Sequence, residues 1–382
     1  MVADPWNSPS PFIFDGPLPP SKLVGRVQEA ATLREWARAG RFVALTAPRR
    51  FGKTSLIGKV ASDAEEHDHI AVVVADLFEV ASMADLVIRL ERAWARHTPR
   101  RLRAAVTQAF AGSRVGLSLG GAGFSMALAE RPHTDPLPAL HALLDLPNKL
   151  TVGRNHARVL LVLDEFQSLG RVAGAEALVR SHAQHQREVA SYMFAGSEPG
   201  MLAAAFGERA RPFYGQVETF HLGRLGADEL AAAIATGFES TEKHTGDVLA
   251  QLVATSEGHP QRAMLLAHLL WVQVRPGQVA TDSDWAATLA AALHRVEPEA
   301  VALLSGLSTG ERKTLRAVAE YGAPMASRAL RTLDLAKTTA RDAAMKLVAD
   351  GVLEHEDGWR VVDPLLTRWI QTQMPTRGLP AL

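Results

Sequence analysis

Short, unbroken apolar runs alternate along the first half of the chain with stretches whose apolar residues recur every three or four positions. Phe42-Val43-Ala44-Leu45, Ile70 to Ala75, Val159 to Leu163 and Ser191 to Ala195 are runs of the first kind, and they predict buried parallel strands. Val27 to Ala39, with Ala30, Leu33, Trp36 and Ala37 at helical spacing, predicts a helix, as do Met83 to Phe110 and Ala175 to Val189. Strands alternating with helices predict an α/β fold, a parallel sheet with helices on both faces and a ligand site at the carboxyl ends of the strands. Asp76, Asp164, Glu165 and Ser197 all stand at such ends.

The pattern then changes twice. Residues 226–302 are alanine-rich and helical without strand signals, which predicts a separate helical subdomain. Residues 303–382 hold helices over Thr309 to Tyr321, Ser327 to Leu333 and Ala336 to Ala349, then Val352-Leu353-Glu354 and Trp359 to Val362 around Glu356-Asp357-Gly358. Three helices and a hairpin predict a winged helix. Within the expected core of residues 23–225, alternation on either side of Gly120-Gly121-Ala122-Gly123 predicts an inserted β-hairpin at about residues 114–129. Residues 1–22, with six prolines before Lys22, read as a flexible arm.

Composition narrows the setting. A chain of 382 residues, 47% hydrophobic, is long enough for two or three domains. There are no cysteines, which excludes disulfides and thiolate metal sites and points to a reducing cytoplasm. No run approaches the ~20 apolar residues of a membrane span, and the start lacks a signal-peptide pattern, so a soluble protein with no membrane partner is expected. Lys+Arg and Asp+Glu both number 41, so any contact with nucleic acid would be local.

The strongest chemical signal follows the first strand: Ala47-Pro48-Arg49-Arg50-Phe51-Gly52-Lys53-Thr54-Ser55. In G-x-x-x-x-G-K-[ST] loops, backbone N–H groups wrap phosphates, the lysine neutralises the outer ones and the hydroxyl meets Mg²⁺. Lys53 and Thr54 fill the last two roles, and Gly52 allows close backbone approach. Ala47 replaces the first glycine, which is tolerated only if the turn needs no positive φ there. Asp164 would join Thr54 at the metal, directly or through water. Glu165 is the candidate base or water-positioning group, and the Ser197 hydroxyl is placed to sense a γ-phosphate. The plain alternatives are a solvated acidic pair and a turn serine.

Together with Leu-Asp-Glu-Phe-Gln at 163–167, Phe-Ala-Gly-Ser-Glu at 194–198, Pro212-Phe213-Tyr214-Gly215, Gly258-His259-Pro260 and Val361 to Trp369, this loop resembles the archaeal-type ATPases of the STAND branch of AAA-like P-loop NTPases. The resemblance covers nearly the whole chain from about residue 17. It implies an ATP-binding core, a helical lid over 226–302 and a C-terminal winged helix, with ATP or ADP held between core and lid. It also implies that Leu23 and Val24 lie near the adenine and that Pro260 closes over the nucleotide. With Pro48, Arg49, Arg50, Phe51, Gly52, Lys53, Thr54 and Ser55 these form the expected binding set. Arg262, two residues after Pro260, is the candidate lid arginine; its alternative is a surface arginine lying along a helix. Val362 stands where related ATPases carry a nucleotide-sensing histidine, so sensing by that domain is in question.

The winged helix raises a competing function. Its third helix carries Lys337, Thr338, Thr339, Arg341 and Lys346, residues suited to a major groove. Glu354, Glu356 and Asp357 on the wing oppose phosphate, and from Ser305 onward 11 Lys+Arg face 9 Asp+Glu. The leading expectation is a slow, Mg²⁺-dependent ATPase acting as a nucleotide-controlled switch on a protein partner the sequence does not name. The alternative is a DNA-binding protein whose ATP sets conformation. Self-association would let an arginine act on a neighbouring copy.

Overall fold

The apolar runs form a sheet. β1 (Phe42–Thr46) and β2 (Ala71–Asp76) are followed by a two-stranded antiparallel hairpin of β3 (Gly116–Gly120) and β4 (Gly123–Ala127), then β5 (Val159–Asp164), β6 (Ala190–Gly196) and β7 (Glu218–His221). Strands β1, β2, β5, β6 and β7 make one parallel sheet in the order β2-β5-β6-β1-β7. The structure, a computed structural model, describes residues 9–97, 116–120, 123–127, 135–151, 158–207, 209, 212–355 and 358–373. The expected helix beyond His97 lies outside them, as do residues 114–115 and 128–129 of the expected hairpin and Glu356-Asp357 of the expected wing.

Two compact units are formed: one from Val27–Ala47 and Leu56–Leu222, the other from the described residues of Met1–Arg26, Pro48–Ser55 and Gly223–Leu382. The first contains the sheet. Phe42, Ala44, Val73, Leu161, Tyr192 and Phe194 point into one core with Trp94 and Leu140. Val43, Leu45, Val72, Leu160, Val162 and Met193, at alternate positions, are also buried. Burial on both faces is what helices on both faces produce, and it explains why these strands read as unbroken apolar runs. β7 is a polar edge strand, mostly exposed, with no such run to announce it. The helix expected to reach Val189 ends at Ala183. Buried Gln186 ends that region by donating to the Leu144 carbonyl and accepting from the Tyr192 hydroxyl.

The second unit is helical. Helices Ala227–Glu239, Val248–Ser256, Pro260–Gln273 and Asp282–Gly306 pack around Leu230, Ile234, Phe238, Leu252, Leu266 and Leu270. The 25-residue Asp282–Gly306 helix starts from a Thr281/Asp284 capping box and ends in a second core with Leu315, Leu347, Leu353, Trp369 and Ile370. That core gathers Thr309–Tyr321, Lys337–Ala349, the antiparallel strands β8 (Leu353–Glu354) and β9 (Arg360–Val361), and a final helix Pro364–Gln373. The arm is held rather than loose where it is described. Phe12 is 5% exposed against Phe238, and Gln261 donates to the Phe14 carbonyl. Two aromatic residues among the prolines give that segment apolar area to bury.

Candidate functional site

The phosphate loop belongs to the helical unit. Arg50 (φ 69°) and Gly52 (φ 85°) take the left-handed region, whereas Ala47 does not, so the missing first glycine costs the turn nothing. A Cβ on Gly52 would meet nothing within 4 Å; glycine is there for its φ. The helix Lys53–His67 begins at the lysine and directs its N-terminal N–H groups and dipole at the loop. Lys53 is 7% and Ser55 5% exposed, while Thr54 is exposed. The Ser55 hydroxyl accepts a hydrogen bond from the Leu18 amide at 2.8 Å, which fastens the arm to the loop.

Beside the loop lies a narrow cleft of about 30 Å³ walled by Leu18, Leu23, Val24, Arg26, Phe51, Gly52, Ser55, Leu225, Pro260 and Met264. Leu23, Val24 and Pro260 therefore share one space with the loop. Gly25 (φ 59°) and Arg26 (φ 64°) turn the chain sharply at its mouth, and the Arg26 guanidinium donates to the Gly223 carbonyl at 2.5 Å. His259 sits behind it. Its ring meets Phe51 edge-on at 4.8 Å, and its Nδ1 accepts from the Arg262 amide, capping the Pro260–Gln273 helix. Burial pushes the imidazole down to about 3, so it is neutral and able to accept.

Arg262 is buried and paired. It is 3% exposed and grips Asp363 through Nε at 3.0 Å and Nη2 at 2.5 Å, and Nη2 also reaches Glu299 at 3.1 Å. Burial raises the Asp363 carboxyl, but the Arg262 hydrogen bonds and charge win, and it is held low. Arg50 donates to both Glu299 oxygens, at 2.6 and 2.8 Å, and that hydrogen bonding holds Glu299 down at about 2. A chain of charges, Arg50–Glu299–Arg262–Asp363, thus runs from the phosphate loop to the N-terminus of the last helix, where Asp363 also accepts from the Leu365 amide. Arg224 is committed too, donating to Glu354 and to the Val362 carbonyl. Sequence reading did not single out Glu299 or pair Asp363 with Arg262.

In the sheet unit, the strand order puts β6 between β1 and β5, with Thr46 opposite Gly196 and Asp76 opposite Asp164. The carboxyl-end edge therefore lines up Ala47, Ser197, Asp164, Glu165 and Asp76. Asp164 Oδ1 accepts the Glu165 amide at 3.0 Å. Glu165 (φ 54°) turns so that its Oε2 accepts from the Ser197 hydroxyl at 2.9 Å and from Gln167 Nε2 at 2.6 Å. Gln167 was quoted in the Asp-Glu-Phe-Gln run without a role. Lys337, Thr338 and Arg341 stand exposed on the Lys337–Ala349 helix, whereas Lys346 is paired with Glu311.

Neither a protein-family model nor a curated protein matches the chain. Among solved structures it resembles a Walker-type ATPase of Pyrococcus abyssi, with TM-score 0.70 at 16% identity, over 94% of this chain and 99% of that one. It also resembles the ORC2 protein of Aeropyrum pernix in its ADPNP–ADP complexes, with TM-score 0.56 at 16% identity, over 94% and 98%. The fold is that of the P-loop ATPases. A P-loop ATPase needs a phosphate cradle, a cation near the outer phosphates and carboxylates at neighbouring strand ends. Its loop here has the left-handed turn, the buried lysine and the helix N-terminus that an anionic phosphate requires. An exposed Thr54 hydroxyl and the Asp164 carboxylate are hard oxygen donors of the kind Mg²⁺ takes. Among the described residues no helix is long and apolar enough to cross a membrane, and no group of three or more His, Asp or Glu could hold a metal by itself.

Proposed function

We propose that this protein binds ATP at the Ala47–Ser55 loop and hydrolyses it slowly, and that the bound nucleotide switches the conformation of its helical unit. The observation that carries the reading is the Ala47–Ser55 loop, with Arg50 and Gly52 in the left-handed region and a buried Lys53 at a helix N-terminus; Asp164 and Glu165, at the end of a parallel strand of the sheet unit, are the acids the reading assigns to it. Backbone N–H groups of residues 49–54 and Lys53 hold the phosphates, and Leu23, Val24 and Pro260 enclose the base. Thr54 and Asp164 are the residues that would hold Mg²⁺, which would neutralise charge on the outer phosphates. Glu165 orients the attacking water and takes its proton, and Ser197 reports the γ-phosphate through its contact with Glu165. Belonging to the STAND/AAA-like group, with residues 226–302 as lid and 303–382 as winged helix, is part of the same proposal. The charge chain from Arg50 to Asp363 supplies the link by which the loop's state reaches the last helix. Arg262 acts on phosphate only if it leaves Asp363, which makes slow turnover the resting condition. Steady-state hydrolysis tests this: Glu165→Gln should retain ATP and lose turnover, and unchanged turnover would remove Glu165 from its role.

The exposed Lys337, Thr338 and Arg341 on one helix support a second reading, in which the C-terminal domain contacts DNA and ATP sets its conformation. Glu354 is occupied by Arg224 and Arg360, which reduces its opposition to phosphate. A protein partner and self-association belong to the first reading, in which the changed surface of the helical unit is the output.

A further inference from the structure

We infer that Gln167 is the residue that positions Glu165 for catalysis, and that Gly196 is glycine to make room for it. The inference rests on the proposed role of Glu165. Glu165 adopts a left-handed φ of 54° and opens the 3₁₀ turn Phe166–Arg171, which brings Gln167 back beneath its own strand end. Gln167 Nε2 donates to Glu165 Oε2 at 2.6 Å, and the Ser197 hydroxyl and amide approach the same oxygen at 2.9 and 3.4 Å. Three donors on one oxygen fix the rotation of the carboxylate. A carboxylate only accepts, so the Gln167 amide must present its NH₂ here.

Two further observations separate this from ordinary packing. Gln167 is 6% exposed, and its Oε1 is buried with no hydrogen-bond partner among the described residues. A side chain kept for packing alone would avoid an unpaired buried oxygen, so the group is retained for its donor. Opposite it, a Cβ on Gly196 would overlap Gln167 Oε1 and sit 3.3 Å from its Cδ. Gly196 does not have a positive φ, so space, not backbone conformation, is what the glycine provides. With Gln167 absent, the shortest of these three contacts is lost, and Glu165 samples rotations that do not face the water.

The test is MgATP hydrolysis, ATP affinity and thermal midpoint for the wild type, Glu165→Gln, Gln167→Met, Gly196→Ala, Gln167→Ala and the double variant Gln167→Ala/Gly196→Ala. Gln167→Met and Gly196→Ala should each lower kcat about 10- to 100-fold while ATP affinity stays within about twofold and the midpoint holds. Gly196→Ala should add nothing once Gln167 is alanine, because the clash is gone. Wild-type kcat in Gln167→Met overturns the inference, as does a Gly196→Ala loss that persists in full beside Gln167→Ala. If Glu165→Gln itself turns over normally, the base assignment fails instead, so the two failures are distinguishable.

Discussion

Arg50 of the phosphate loop holds Glu299 of the long helix through both carboxylate oxygens, at 2.6 and 2.8 Å. The contact fastens a non-glycine residue in the left-handed region, φ 69°, within the Ala47–Ser55 loop. Both partners are about half exposed, at 45% and 51%, so the pair itself adds little stability, about 0–1 kcal/mol. Its neighbour Arg262 is different, with a side chain only 4% exposed. Asp363→Ala, which leaves that buried guanidinium with Glu299 in place of its main partner, should cost about 3 kcal/mol, and Arg50→Ala less than about 1 kcal/mol. Urea unfolding followed by tryptophan fluorescence measures both, and equal losses would refute the ranking.

Acid should destabilise the helical unit from a high starting pH. His259 falls from 6.5 to about 3 on folding, so below 6.5 the unfolded chain takes up a proton that the native ring refuses. Its contribution is present above 6.5 and lost as pH falls toward 3. Glu299, lowered from 4.5 to about 2, adds stability above 4.5 that is lost as pH falls through 2. Thermal midpoints should therefore decline with pH from 6.5 down. His259→Asn keeps a capping acceptor and should flatten the decline above the carboxylate range. An unchanged profile in that variant would show that His259 is not its source.

The cleft beside the loop, at about 30 Å³, has room for little more than a water molecule, so under the proposed function a base would have to part its walls. If the base does lie there, Val24→Thr, which removes apolar contact from that wall with little change in volume, should weaken ATP binding several-fold. A fluorescent ATP analogue in competition with ATP gives the affinity. An unaltered affinity would place the base elsewhere.

Much of the sheet unit was legible because strands buried on both faces leave an unbroken apolar signature, as Val159 to Leu163 and Ile70 to Ala75 do. Polar residues at the ends of those runs, Asp164, Glu165 and Ser197, could be assigned to one edge before any coordinates. The polar edge strand Glu218–His221 carried no such signature. Nor did the Arg262–Asp363 pair, whose members lie 101 residues apart: ionic contacts between distant segments leave no period in the sequence. Gln167 was visible as a letter in a motif, but its role depends on a left-handed Glu165 and on the missing side chain of Gly196.

If the C-terminal helices contact DNA, Lys337→Ala and Arg341→Ala should each weaken binding and each reduce the slope of log affinity against log salt by about 1. Titrations with a short duplex at several salt concentrations measure this. Absence of salt-dependent binding in the wild type would remove the DNA reading and leave the switch.

Everything proposed above depends on the Ala47–Ser55 loop binding ATP. Calorimetric titration of the full chain with MgATP, beside Lys53→Ala, should show saturable binding of one nucleotide per chain that Lys53→Ala abolishes. Wild-type protein that takes up no ATP, or a Lys53→Ala variant that binds as well as the wild type, would contradict it.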